Sequence, residues 1–172
     1  MILETERLYL REMTEDDINA LYKILADSNI MQHYPYAFDE ARVRNWIHRN
    51  MERYRIFGFG LWAVCLKESG ELIGDCGLTM QLINDQIKPE IGYHIRADQQ
   101  RKGYAKEAAA AVRDWTFHNT PFNVIYSYMK HTNEASAQTA MSYGCKQVDN
   151  FFDEVNGITK VFAISRNEWI NR

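Results

Sequence analysis

No stretch of this sequence is rich in proline, glycine and serine; there are three prolines and nine glycines in 172 residues. Internal repeats and low-complexity tracts are missing too, so no linker divides the chain and a single domain over 1–172 is expected. Charge of neither sign dominates. Twenty basic against 23 acidic residues leave a formal net charge of −3, which gives no general reason to expect nucleic acid or a membrane as partner. No apolar run approaches the roughly 20 residues needed to span a bilayer. The start, Met1-Ile2-Leu3-Glu4-Thr5-Glu6, has neither the basic nor the apolar region of a signal peptide. Cysteine is sparse: Cys65, Cys76 and Cys145 are odd in number, lack CxxC spacing and sit among apolar neighbours. That is the pattern of buried thiols in a reducing compartment, and a cytoplasmic location is expected.

Several ligand signatures are also lacking. There is no GxxxxGK[ST] for a mononucleotide and no GxGxxG for a dinucleotide. The five histidines, His33, His48, His94, His118 and His131, show no HExxH or other ligand-like spacing, so no metal is expected. With no partner histidine implied beside it, Cys76 reads as a buried strand residue and not as a nucleophile.

What the chain does have is 46% hydrophobic residues, enough for one substantial core. Arg7 to Arg11 alternates and predicts a strand. Thr14-Glu15-Asp16-Asp17 resembles a helix cap with acids in the first turn, followed by Ile18, Leu21, Tyr22 and Leu25 on one face. A second helix is expected from Asp39, with Val43, Trp46, Ile47, Met51 and Tyr54 at helical spacing. The connection between them, His33 to Phe38, is aromatic and belongs either to the core or to a pocket wall. Strands over Leu61–Lys67, Leu72–Leu82 and Ile87–Arg96 form a meander. A helix over Lys102–His118, a strand over Phe122–Met129 and a helix over Asn133–Tyr143 follow. Two last strands, Cys145–Val155 and Ile158–Arg166, join through Asn156-Gly157, a strong hairpin signal. The order β-α-α-β-β-β-α-β-α-β-β predicts an α+β fold, a mixed, mostly antiparallel sheet flanked by helices in three layers.

The most informative segment is Gln100-Arg101-Lys102-Gly103-Tyr104-Ala105, between a strand and a helix. Glycine lets a backbone approach a ligand closely, and the free N–H groups of a helix N-terminus attract anions. Arg101, Lys102 and Lys106 add positive charge. The segment is therefore a candidate phosphate cradle, the alternative being a solvated strand-to-helix turn.

Here the chain resembles the GNAT acetyltransferase superfamily, in which QxxGxA opens the helix that holds the pyrophosphate of CoA. Leu8-Tyr9-Leu10-Arg11, Leu72-Ile73-Gly74-Asp75-Cys76-Gly77-Leu78, Glu90-Ile91-Gly92-Tyr93-His94-Ile95 and Asn133-Glu134-Ala135-Ser136, ending at Gly144-Cys145, match further family segments in order. The likeness covers nearly the whole chain and is nearest to the RimJ/RimL-like branch of ribosomal-protein N-terminal acetyltransferases. It implies an enzyme that uses acetyl-CoA to acetylate a primary amine, either a protein N-terminus or a small molecule such as a polyamine or antibiotic. A homodimer is among the expected assemblies. Gln100 to Ala105 would hold the pyrophosphate, and pantetheine would lie along the strand ending at His94 and Ile95, where a main-chain N–H would meet the developing oxyanion. Asn133 would bond the pantetheine arm or serve as a helix cap, and Ser136 would bond the arm or be a first-turn hydroxyl. Glu90 is the candidate base for the acceptor amine, the alternative being an exposed residue at a strand edge. Asp85 and Glu90 near the pocket would suit a cationic acceptor. Many family members carry a tyrosine where this chain has Ala140; Tyr143, beside Gly144, reads as a core residue. The absent tyrosine leaves open a non-catalytic acetyl-CoA-binding sensor or scaffold.

Overall fold

A computed structural model describes residues 1–172. The elements run β1 (Leu3–Glu4), β2 (Leu8–Arg11), α1 (Ile18–Leu25), α2 (Glu40–Phe57), β3 (Leu61–Leu66), β4 (Leu72–Ile83), β5 (Gln86–Ile95), α3 (Tyr104–Asn119), β6 (Val124–Lys130), α4 (Glu134–Ser142), β7 (Lys146–Asp153), β8 (Gly157–Ser165) and α5 (Arg166–Ile170). The expected order is present, with β1 and α5 as additions at the ends. No helix is long and apolar enough to cross a membrane.

Local chemistry explains most boundaries. The Asp39 carboxylate accepts from Arg42 N–H at 2.8 Å and caps α2, and Gly58, at φ 76°, ends it. The β4–β5 hairpin turns on Asn84 and Asp85, with φ of 48° and 61°. Both are residues that tolerate the left-handed region a two-residue hairpin loop demands. The β7–β8 hairpin departs from expectation. Asp153 pairs with Gly157, leaving a three-residue loop, and the Asp153 carboxylate accepts from Val155 and Asn156 N–H at 2.7 and 2.8 Å. Two helical faces are also narrower than the spacing predicts. Tyr22 is 43% and Met51 38% exposed, because the buried stripes centre on Leu21, Ile24 and Leu25 in α1, and on Val43, Ile47, Asn50 and Tyr54 in α2.

The eight strands form one sheet in the order β1-β2-β3-β4-β5-β6-β8-β7, antiparallel throughout except between β5 and β6. Residues on alternate sides of a strand separate two helical layers. Trp46 of α2 donates from Nε1 to Asp75 of β4 at 3.0 Å, placing α2 on the face that carries Asp75, Thr79, Glu90 and His94. Trp62 of β3 meets Trp115 of α3 at 4.9 Å between ring centroids, and Tyr93 of β5 bonds Ser136 of α4, placing α3 and α4 on the other face. Leu8, Leu10, Trp62, Ile73, Leu78, Ile91 and Ile125 belong to the buried core between these layers.

Candidate active site

The sheet opens where its one parallel pair fails. β5 and β6 share a single ladder pair, Glu90 with Tyr126, and then diverge. A side chain closes the apex of this fork: Ser127 Oγ donates to the Ile91 carbonyl at 2.8 Å and accepts from the Tyr143 hydroxyl at 3.0 Å. Beyond it, the inner edge of β5 faces open space. Arg96 N–H donates to Ile73 C=O at 2.8 Å. Because such bonds recur every second residue of an antiparallel pair, the main chain of His94 turns toward β4 and that of Tyr93 and Ile95 toward the gap. Ile95 thus sits where the sequence suggested, whereas His94 cannot offer main-chain groups there. Tyr93 takes that place; the two-residue period of the strand was the available signal.

At the mouth of the fork lies the Gln100–Ala105 segment. Arg101 has φ 62° and Gly103 φ 83°, both left-handed, so the chain coils tightly into α3. The N–H groups from Arg101 through Lys106 donate to no protein acceptor; the first that does is Glu107, to Gly103 C=O at 3.0 Å. A run of unbonded N–H groups at a helix start, with Arg101 and Lys106 beside it, is the kind of donor set that suits a pyrophosphate. Gln100 is turned inward, donating to Ile95 C=O at 3.0 Å. Tyr104 and Ala105 line the cleft, whereas the Lys102 side chain does not; its Nζ donates to Gln99 at 3.0 Å. Arg7 braces the loop from outside. Its Nη1 donates to Lys102 C=O at 2.9 Å, its Nε to Glu107 at 2.7 Å, and its guanidinium lies 4.5 Å above the Tyr104 ring. That pairing occupies the one carboxylate in the first turn of α3, which would otherwise oppose an anion.

On the β6 side, Asn133 Oδ1 accepts from Ser136 N–H at 3.1 Å, so Asn133 is the N-cap of α4. Its Nδ2 makes no protein hydrogen bond, and the residue lines the cleft. Ser136 is tied down, its carbonyl and hydroxyl lying 2.9 and 3.0 Å from the Tyr93 hydroxyl.

Glu90 sits at the apex of the fork on the α2 face. It is 9% exposed, neither an open nor an edge residue, and Thr79 Oγ1 donates to its carboxylate at 3.2 Å. A Cβ on Gly92 would stand 3.3 Å from Glu90 Oε2, so glycine keeps the approach to the carboxylate clear. Burial pushes the Glu90 pKa up to about 7; the Thr79 bond and the charges of His94 and Arg53 oppose that rise, and Asp75 adds to it.

Beside it runs a polar chain the sequence did not reveal. Asp75, fully buried, accepts from Trp46 Nε1 and lies 2.8 Å from His94 Nδ1, while His94 Nε2 lies 2.7 Å from the Tyr34 hydroxyl. Burial favours neutral His94, but the charge and hydrogen bond of Asp75, with Glu90 further off, outweigh it and raise its pKa. Tyr34 thereby pins the start of the aromatic α1–α2 connection over the cleft: His33 and Tyr34 line it, whereas Ala37 and Phe38 pack against the core. Asp85, by contrast, is at the tip of the β4–β5 turn and does not line the cleft. Tyr143 is fully buried, Ala140 likewise, and the Cys76 thiol is held well above its usual pKa by burial. One cleft of about 820 Å³ joins these parts, reaching from Arg101 and Gly103 through Tyr93 and Ile95 to Glu90, Tyr34 and Trp46.

Comparison with known proteins bears on the family and the fold. Residues 7–146 match the family model of the acetyltransferase (GNAT) domain. The uncharacterised protein YkkB of Bacillus subtilis (strain 168) is 33% identical over 143 residues, covering 83% of this chain and 83% of that protein. A GNAT-family acetyltransferase structure from Bacillus anthracis has a TM-score of 0.82 at 23% identity, covering 96% of this chain and 98% of that one. A spermidine N-acetyltransferase from Vibrio cholerae, in complex with CoA and spermine, has a TM-score of 0.77 at 16% identity, covering 97% and 100%. At those identities the two structures speak for the fold.

Proposed function

The chain belongs to the GNAT acetyltransferase family, and from that premise we propose that it acetylates a primary amine by direct attack, with Glu90 as general base. When bound, acetyl-CoA supplies the acetyl group as a thioester, so that the C–N bond forms as the C–S bond breaks. The N–H run from Arg101 to Lys106 takes the pyrophosphate, with Arg101 and Lys106 balancing its charge. Tyr93 and Ile95 offer main-chain groups to the pantetheine amides, as a sheet edge does to an added strand, and Asn133 Nδ2 offers one more donor. Ser127 and Tyr143 hold the fork at a fixed opening.

An amine near pKa 10 is an ammonium at neutral pH and has no lone pair for attack. Glu90 takes its proton. A carboxylic acid of ordinary pKa would be a feeble base, but one raised to about 7 is matched to working pH. Ala140 has no proton to give the departing sulfur, and Tyr143 is sealed behind Ser127. Departure as thiolate is consistent with both.

One observation carries this reading: a single cleft is lined at one end by unbonded N–H groups and at the other by a buried, basic carboxylate. CoA release measured with a panel of peptide N-termini and small amines tests it. Turnover that falls about 10²–10⁴-fold in Glu90→Gln, with acetyl-CoA affinity retained, is the expected result. Wild-type protein that binds acetyl-CoA and acetylates no amine would instead make it a sensor.

A further inference from the structure

Helix α2 carries five arginines: Arg42, Arg44, Arg49, Arg53 and Arg55. Three lie on its outer surface and are matched by nearby acids, Arg42 with Asp39, Arg44 with Glu40 and Arg55 with Glu52, at 3.4 to 3.8 Å. The two that line the cleft are different. Arg49 and Arg53 have no carboxylate within ion-pair distance, and with Trp46 they form the stripe of α2 that faces Glu90 across the opening.

Arg53 is also held in place. Asn50, fully buried, accepts at Oδ1 from Leu61 N–H at 2.9 Å and from Arg53 Nη1 at 3.1 Å, while its Nδ2 donates to Trp46 C=O at 3.0 Å. A fixed anchor therefore takes one donor of a half-buried guanidinium and leaves the rest aimed at nothing in the protein. Burial first, and the charge of Arg49 next, pull the Arg53 pKa down, with Glu90 opposing. Arg53 is half-buried and Arg49 exposed at the cleft rim; two like charges so placed are unfavourable on their own and become favourable when an anion bridges them. Glu90 is the cleft's one carboxylate, against Arg49, Arg53, Arg101, Lys106 and Lys130, in a protein of net charge −3. Arg101 and Lys106 are at the pyrophosphate end. Arg49 and Arg53 are on the opposite side of the sheet, with Glu90.

We infer that the acceptor is a small amine that itself carries an anion, a carboxylate or a phosphate monoester, which Arg49 and Arg53 bind while its amine lies at Glu90. This deepens the acetyl-transfer reading and rests on it. Guanidinium is the group suited to such anions because it meets two oxygens at once. A cleft of about 820 Å³ that must also admit an acyl donor leaves room for a small acceptor. A simple polyamine, with only positive charge to present, would meet repulsion at the same place.

Matched amines test this: tyrosine against tyramine, and phosphoethanolamine against ethanolamine, with an acidic N-terminal peptide as a third arm. The expected result is a kcat/KM at least about tenfold higher for the anionic member of a pair, the scale of one charge-assisted hydrogen bond. That ratio should fall toward unity in Arg53→Gln and in Arg49→Gln, mainly through KM, and Arg53→Lys should restore part of it. Binding gives a readout independent of turnover. With CoA saturating, phosphoethanolamine or tyrosine should raise the Tm of the wild type but not of the double Arg→Gln variant. Turnover of neutral or cationic amines with no anionic preference overturns the inference and leaves acetyl transfer standing. Preference for the peptide over both small anions overturns the small-acceptor assignment. No turnover with any amine and no Tm response overturns the inference together with the reading beneath it.

Discussion

The Ser127 hydroxyl donates to the Ile91 carbonyl at 2.8 Å, one residue past the last ladder pair between β5 and β6. This bond, backed by Tyr143, decides where the sheet stops being a sheet. Residues before it are held at strand spacing, and residues after it are free to separate.

Tyr143→Phe should therefore cost stability and spare chemistry. Losing one buried hydrogen bond costs about 1 kcal/mol, read as a lower midpoint in urea. The turnover number should stay within about threefold of wild type. A loss of a hundredfold or more would make Tyr143 the missing proton donor.

On the proposed mechanism the pH profile reports Glu90. Its carboxylate must be ionised to act, so kcat/KM for the acceptor should rise with pH through about 7 and then flatten. The amine's own ionisation contributes at higher pH, and the Glu90→Gln profile separates the two. A variant within threefold of wild type across the range would remove Glu90 as the base.

Stability should move the opposite way. A carboxyl whose folded pKa of about 7 exceeds its ordinary 4.5 stabilises the fold when protonated. That contribution is full below about pH 4.5 and lost as pH rises through 7, on the order of 3 kcal/mol in all. Glu90→Gln keeps the neutral shape at every pH. The variant should thus gain Tm over wild type at pH 8 and show little difference at pH 5. An equal difference at both would contradict the burial argument.

Gly103 is the cofactor test. At φ 83° any other residue is strained by roughly 1–2 kcal/mol, and a Cβ would come to 3.3 Å from Arg7 Nη2. Gly103→Val should abolish measurable acetyl-CoA binding by calorimetry while far-UV circular dichroism stays native. Arg7→Ala, which touches only the outside of the loop, should weaken binding about tenfold. Full affinity in a folded Gly103→Val protein would end the phosphate-cradle argument.

Much of this was legible along the chain because it depends on near neighbours. Alternation and helical spacing predict every long element, and the Asn84-Asp85 turn places the β4–β5 hairpin; a β7–β8 hairpin is present as Asn156-Gly157 suggests, but its loop is Glu154 to Asn156, with Gly157 paired to Asp153. The Gln100–Ala105 run was readable as a candidate phosphate cradle because such a site is local: a strand end, a glycine and a helix start lie within six residues. The errors were local too. Tyr22 and Met51 fall on the predicted faces yet are exposed, because spacing sets a helical stripe's period but not where its centre meets the core.

Contacts between distant residues were not legible. The two-residue Asn84-Asp85 turn sets the register that puts Asp75 opposite His94, but nothing in the order of residues says that Tyr34 crosses to meet them, or that Arg7 reaches Lys102. Sequence alone determined the family and marked a candidate phosphate cradle, since both are written in short motifs whose chemistry is carried by adjacent backbone. Only the tertiary structure decided that Glu90 is buried and what faces it. A carboxylate's basicity depends on the water removed from around it, and an arginine's partner depends on which face of α2 turns inward. Both are fixed by packing between elements that the sequence holds tens of residues apart.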